Sequence, residues 1–282
     1  MSPTAKQPAS SRKPGRTGPG WRGYGCANST PTERQELHYG SWEFRAASDL
    51  ARRLPNSSRA LALIGSVARQ PGMLRVLAAV WRLPVIDLQV RRAEADAWWF
   101  RHWFGPRFRL AWAVLDLPAA EKHYLVGRPR QALRTNLRHA RALGVTSSRV
   151  TYETWFEAMS AVMRARGDKP GPEQDGPGPG QQVAYYVARD ARGRPLAFAG
   201  TALFGRFAAL FTLVSRPDRQ PDASWARYQL HTFLALDLGC SGVEHLLTGS
   251  ALRESPGNQY FQHLLGYRAR NLRIKVVQSG AT

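Results

Sequence analysis

Apolar positions along this chain change period several times, and each change marks an element. Over residues 33–104 the stretches "SDLARRL" and "MLRVLAAVW" space their apolar residues helically, so this part reads as mainly helical. "FRLAWAVLDLP" (108–118) is short, apolar and ended by Pro118, as a strand would be. "GRPRQALRTNLRHARALG" (127–144) has Pro129 early and Gly144 at its end, which predicts a helix. Arg130, Arg134 and Arg138 recur every four residues on one face of it, and Leu133, Leu137 and Ala140 lie on another. A second amphipathic helix is predicted over 151–167, with Trp155, Met159, Val162 and Met163 as the buried stripe.

The period then shortens. Residues 167–182 are dense in Gly and Pro and predict a flexible internal loop. Three strands follow at 183–190, 195–204 and 206–215, with Gly193 and Gly205 at the turns, so they read as an antiparallel meander. After an irregular stretch come a helix at roughly 224–238 and a strand at 243–250. "SPGNQYFQHLLGYRARNLRI" (255–274) closes the order with a helix and a strand.

Composition adds a partner question. Of 282 residues 43% are hydrophobic, enough for a sizeable core, while 40 Lys+Arg stand against 20 Asp+Glu for a net charge of +20. The segment 61–145 is the most basic, with 14 basic residues against 5 acidic. This excess suits an anionic partner such as nucleic acid, a phosphorylated cofactor or an acidic membrane surface. Almost all the cations are Arg, beside abundant Ala, Gly and Pro, so compositional drift remains the competing account.

Residues 1–32 are Ser-, Pro-, Gly- and Arg-rich and predict a disordered basic tail. The interleaved Trp98, Trp99, Trp103 and Trp112 suit either base stacking or the closing of a core. Cys26 and Cys240 give neither a disulfide framework nor a zinc spacing, and a reducing, cytoplasmic setting fits. No metal site is expected. No signal-peptide pattern is seen, and no window reaches the ~18 apolar residues of a spanning helix. The segment 60–81 comes nearest but carries Arg69, Gln70, Pro71 and Arg75, which leaves only peripheral membrane contact open. Neither a helix-turn-helix nor a zinc-finger spacing argues for DNA binding.

The run of meander, loop, helix, strand, helix and strand resembles the GNAT superfamily of N-acyltransferases. That family ends in N-x-x-A-x-x-F-Y-x-x-x-G-[FY]; Phe261, Gly266 and Tyr267 match it, while Asn258 stands at its Ala and Gln262 at its Tyr. "GRPRQALRTNLRHARALGV" is similar to the Arg-rich helix of the Fem-like branch, and the likeness covers about 108–275. The resemblance implies an α+β fold with a GNAT-like central twisted mixed sheet flanked by helices. The expected domains are a helical region 33–107, an acyltransferase domain 108–276 and a tail 277–282.

It also implies acyl-CoA (acetyl-CoA) as co-substrate and an amine-bearing acceptor. The donor phosphates would lie on "RQPDASWARYQ", through Arg219, Ala223, Ser224, Ala226, Arg227 and Tyr228. Glu254 and His231 are the candidate bases and Tyr260 the candidate acid, with Gln262 able to orient a group but not to supply a proton. The Arg130/Arg134/Arg138 face would hold anionic substrate, including aminoacyl-tRNA or a cell-wall precursor. A non-catalytic binding module on the same scaffold is the third reading.

Overall fold

The computed structural model describes residues 75, 78–91, 108–118, 120–168, 182–217 and 222–277. The expected basic tail, the 33–74 helices, Trp98, Trp99, Trp103, Cys26, Arg219, the 278–282 end and most of the 167–182 loop lie outside them. Eight strands form one sheet: β1 Val85–Arg91, β2 Phe108–Asp116, β3 Thr146–Val150, β4 Val183–Arg189, β5 Pro195–Phe204, β6 Phe207–Ser215, β7 His245–Ser250 and β8 Arg268–Val277. Among the described residues, helices with both ends described accompany them: α1 Glu121–Tyr124, α2 Gln131–Ala142, α3 Tyr152–Arg166, α4 Asp222–Cys240 and α5 Pro256–Leu265. The spatial order is β1-β8-β2-β7-β6-β5-β4-β3. β1/β8 and β6/β7 pair in parallel and the other neighbours antiparallel. The fold is thus the expected α+β class with a mixed sheet flanked by helices.

Strand alternation assigns the layers. Ala184, Tyr186 and Ala188 of β4 join a core with Leu133 and Leu137 of α2, Leu230 and Leu234 of α4, and Leu265 of α5. Tyr185 and Val187, pointing the other way, join Trp155, Met159 and Val162 of α3. A second cluster on that opposite face gathers Trp112 and Val114 of β2, Leu247 of β7 and Ile274 of β8. Trp112, only 7% exposed, is therefore a core residue and not a base-stacking one.

Local signals set the element ends. Thr151 caps α3, accepting from the Thr154 N–H, and Gly167 ends it in the left-handed region. Ser255 caps α5, Pro256 opens it and Gly266 (φ +88°) closes it, as the closing segment of the sequence predicts.

Two strands add to those expected. β1 lies within the region 33–107 and pairs with β8, so the sheet begins before residue 108. Its alternating Ile86, Leu88 and Val90 carry a clear period of two, masked by the helical stretches before it. The meander has a fourth strand, β3, whose polar "TSSRV" resembles a loop; pairing with β4 on the sheet edge holds it extended.

One buried side chain ties the first described turn of helix to the sheet. Asn271 of β8 donates to the carbonyls of Val80 (3.1 Å), Trp81 (3.3 Å) and Leu83 (3.4 Å). Its Oδ1 accepts from the Ala111 N–H at 3.0 Å. Ala111 stands at φ +49° within the register shift between Arg109 and Trp112, and that bond helps hold it there.

Candidate active site

β6 and β7 are paired for only three positions, Phe207↔His245, Ala208↔Leu246 and Ala209↔Leu247. Beyond Ala209 the two parallel strands part. A cleft of about 230 Å³ fills the opening, lined by Leu210–Leu213 of β6, Arg227 and His231 of α4, Thr248 of β7, Glu254, and Asn258, Phe261 and Gln262 of α5, with Tyr267 behind. Parallel strands that diverge leave main-chain donors and acceptors without a neighbour on that side.

The cleft is graded from dry to wet. At its deep end His231 (0% exposed), Tyr267 and Gln262 are buried. At its mouth Glu254 is half-buried and Asn258 exposed. His231 Nε2 lies 2.8 Å from the Tyr267 hydroxyl, and its Nδ1 is buried with no hydrogen-bond partner. Burial, reinforced by the Arg227 and Arg130 charges, lowers the His231 pKa to about 3, so the ring is neutral. An orphaned buried N–H is rarer than an unused acceptor, which favours the tautomer with bare Nδ1 and Nε2–H donating to the Tyr267 oxygen. In that tautomer the Tyr267 proton is not committed to His231. Gln262 Nε2 donates to Thr248 Oγ1 at 3.1 Å, fixing the amide on β7.

At the mouth, Arg227 lies over the Phe261 ring, 3.7 Å from its centroid. Its Nη2 donates to Asn258 Oδ1 (3.2 Å), and Asn258 Nδ2 donates to Glu254 Oε2 (2.9 Å). Burial pulls the Arg227 pKa below its ordinary value, with the nearby Tyr228 and Glu254 opposing that shift.

The sequence-predicted residues divide around this cleft. It brings together His231, Glu254, Gln262 and Arg227. Tyr260 is 55% exposed and lies with Ser224 and Tyr228 on a separate groove beside α2, because it points away from Gln262 on α5. The Tyr228–Phe261 ring pair (centroids 4.9 Å apart) stands between groove and cleft. Tyr260 is therefore not placed as the cleft's acid. Tyr267, five positions after Gln262, is the tyrosine that reaches the cleft, where it meets His231, 36 positions away in the chain.

From Asp222 onward the expected phosphate loop is helix. α4 begins at Asp222, so its own hydrogen bonds take the N–H groups from about residue 225 onward. Ala223 and Ala226 are buried in the core, and Tyr228 packs on Phe261. Only the first-turn N–H groups, including those of Ala223 and Ser224, remain for an anion, and Asp222 already puts a carboxylate in that turn.

The Arg row is also partly spent. Arg130 Nη1 donates to the Leu264 carbonyl (2.8 Å), and Arg134 Nη1 to those of Leu125 (2.6 Å) and Gly127 (2.9 Å). These bonds tie α2 to α5 and to its own approach; Arg138 is exposed. Among the described residues no three His, Cys, Asp or Glu cluster as metal ligands, and no helix is long and apolar enough to cross a membrane.

No protein-family model and no curated protein matches the chain. Solved structures do. A C-terminal DUF2156 domain from Agrobacterium fabrum, described as part of a lysylphosphatidylglycerol synthetase, aligns at 18% identity over 57% of this chain and 58% of its own, TM-score 0.40. FemX aligns at 11% identity over 71% of this chain and 66% of its own, TM-score 0.44. A GCN5-related N-acetyltransferase from Kribbella flavida aligns at 16% identity over 57% of this chain and 55% of its own, TM-score 0.31. The chain thus spans less than two thirds of each of these proteins. The chain's own sheet is mixed and parts between two parallel strands, β6 and β7.

Proposed function

We propose that the chain is a transferase that moves an acyl group from an activated donor, acyl-CoA, to an amine. The observation that carries this reading is the β6/β7 parting, with a neutral His231–Tyr267 pair buried at its deep end. Strand backbone without a neighbour suits an extended, amide-bearing donor arm by strand-like pairing. The thioester supplies a carbonyl carbon open to attack and a thiolate leaving group.

The chain's residues then have separable tasks. His231 orients the Tyr267 hydroxyl, and Tyr267 gives the proton that the leaving sulfur needs. Gln262, held by Thr248, lines the wall at the position where the family resemblance expects the acid. Glu254, at the wetter mouth, accepts a proton from the incoming amine. The deep end excludes water, which protects the donor from hydrolysis.

A second donor class is favoured by a specific observation. The Asp222 carboxylate in the first turn of α4 repels a diphosphate there, while the net charge of +20 suits a large polyanion such as tRNA. Isothermal titration separates the two. Heat on adding acetyl-CoA at sub-millimolar concentration is the expected result. No heat, together with a tRNA mobility shift whose affinity falls steeply with salt, would replace acyl-CoA with an aminoacyl-tRNA donor.

A further inference from the structure

β6 leaves β7 and loses its register with β5 at the same place. Its last residue paired with β7 is Ala209. On the other side Thr201 faces Leu210 and Gly200 faces Thr212, so Phe211 has no residue opposite it. An extra residue of this kind bends the strand and re-aims the side chain it carries. Leu210 and Tyr267 belong to the core shared with α4 and α5, whereas Phe211 packs on the clusters of the opposite face. All three line the cleft, so it passes between β6 and β7 from one face of the sheet to the other.

Gly200 decides where the Phe211 ring lies. Gly200 is buried in β5, and a Cβ built on it would overlap the Phe211 ring at Cζ and Cε2. The ring therefore rests on bare β5 backbone, a close approach that only glycine permits. β5 lies on one side of β6 and the parting on the other, so a ring lifted off Gly200 moves toward the parting. With the ring seated, the cleft measures about 230 Å³, below the ~300 Å³ where drug-sized ligand pockets begin. Thr212, Thr248 and Gln262 share its lining, so it offers a long alkyl chain no continuous apolar channel.

We infer that Phe211, seated on Gly200, limits the length of the acyl group, and that the group carried is short, acetyl or propionyl. This inference rests on the proposed acyl transfer and names the group transferred. A donor sulfur that meets Tyr267 on the α4/α5 side leaves its acyl group in the parting, with the Phe211 ring ahead of it. Phe211 is thus a specificity-determining residue, and Gly200 a positioning residue that acts through it.

The test is calorimetric titration of the full chain with acetyl-CoA and hexanoyl-CoA. Wild type is expected to bind acetyl-CoA at least about tenfold more tightly than hexanoyl-CoA. Phe211→Ala should tighten hexanoyl-CoA by about tenfold or more and so erase that preference. Gly200→Ala should weaken acetyl-CoA, and in the Phe211→Ala background the same substitution should change nothing further, because the ring it displaces is gone. Far-UV dichroism checks that each variant is folded; should Gly200→Ala not fold, Phe211→Ala alone decides. Hexanoyl-CoA binding wild type as tightly as acetyl-CoA overturns the inference and leaves the acyl-transfer reading standing. So does a preference that Phe211→Ala leaves unchanged. No binding of either thioester removes acyl-CoA as the donor and overturns the inference with it.

Discussion

His231 should make the protein acid-sensitive well above the range in which carboxylates titrate. Its ordinary pKa is 6.5 and its folded pKa about 3, with burial as the main cause and the Arg227 and Arg130 charges adding to it. Above pH 6.5 the ring is neutral whether folded or unfolded, and stability is unaffected. As pH falls below that, the unfolded state binds a proton that the folded state refuses, so stability is lost down to about pH 3. At pH 5 the unfolded state lies about 1.5 units below its pKa, and at ~1.4 kcal/mol per unit the loss is about 2 kcal/mol. The side chain is fully buried, so solvent does not screen this away.

The assay is urea denaturation at pH 7 and pH 5 for the wild type and for His231→Gln, which keeps a hydrogen-bonding group near Tyr267. The difference between the two proteins isolates His231, because Asp116, Asp87 and other groups titrate alike in both. Wild type should lose about 2 kcal/mol more than the variant across this interval. Equal losses, within the ~0.5 kcal/mol by which distant effects fail to add, would refute the reasoning. So would a His231 titration by NMR near its ordinary pKa.

Tyr267→Phe keeps the buried ring but removes the hydroxyl, and should lower kcat with acetyl-CoA by about 10²–10⁴ while the far-UV dichroism is unchanged; an unaltered kcat would remove Tyr267 from proton transfer. Gly266→Ala places a Cβ in the Arg130 guanidinium at φ +88° and should cost about 2 kcal/mol or more in urea. Adding Arg130→Ala should relieve only the collision, and full recovery would show that the backbone carries no strain. Asn271→Leu leaves the Val80, Trp81 and Leu83 carbonyls and the Ala111 N–H short of partners, and should cost about 3 kcal/mol. Hydrogen exchange at Ala111 should quicken in that variant, and unchanged protection would contradict the role given to Asn271.

Much of the fold was legible because it is written in local chemistry. Ser255, Pro256 and Gly266 bracket α5 by capping rules that act within a few residues. β5 and β6 follow from apolar runs separated by Gly205, and the boundaries lie within a residue or so of those expected. β3 was hidden because its strand state comes from pairing with β4, and its own residues are polar. β1 was hidden for a related reason: its partner, β8, is nearly 190 positions away.

The site was legible only in pieces. Periodicity correctly placed Arg130 and Arg134 toward one side of their helix, yet it could not say what lay across from them. Two main-chain carbonyl clusters do, and they take the guanidinium groups a ligand would have used. Tyr260 and Tyr267 are close in sequence, but a helix face and a left-handed glycine send one to the groove and the other to the cleft. The sequence by itself determined where α3, α5, β5 and β6 begin and end, and which of their faces are apolar, because those depend on spacing and on caps. Only the tertiary structure decided that β6 and β7 part after three pairs and that His231 meets Tyr267 there, because both depend on contacts between segments that the chain order keeps apart.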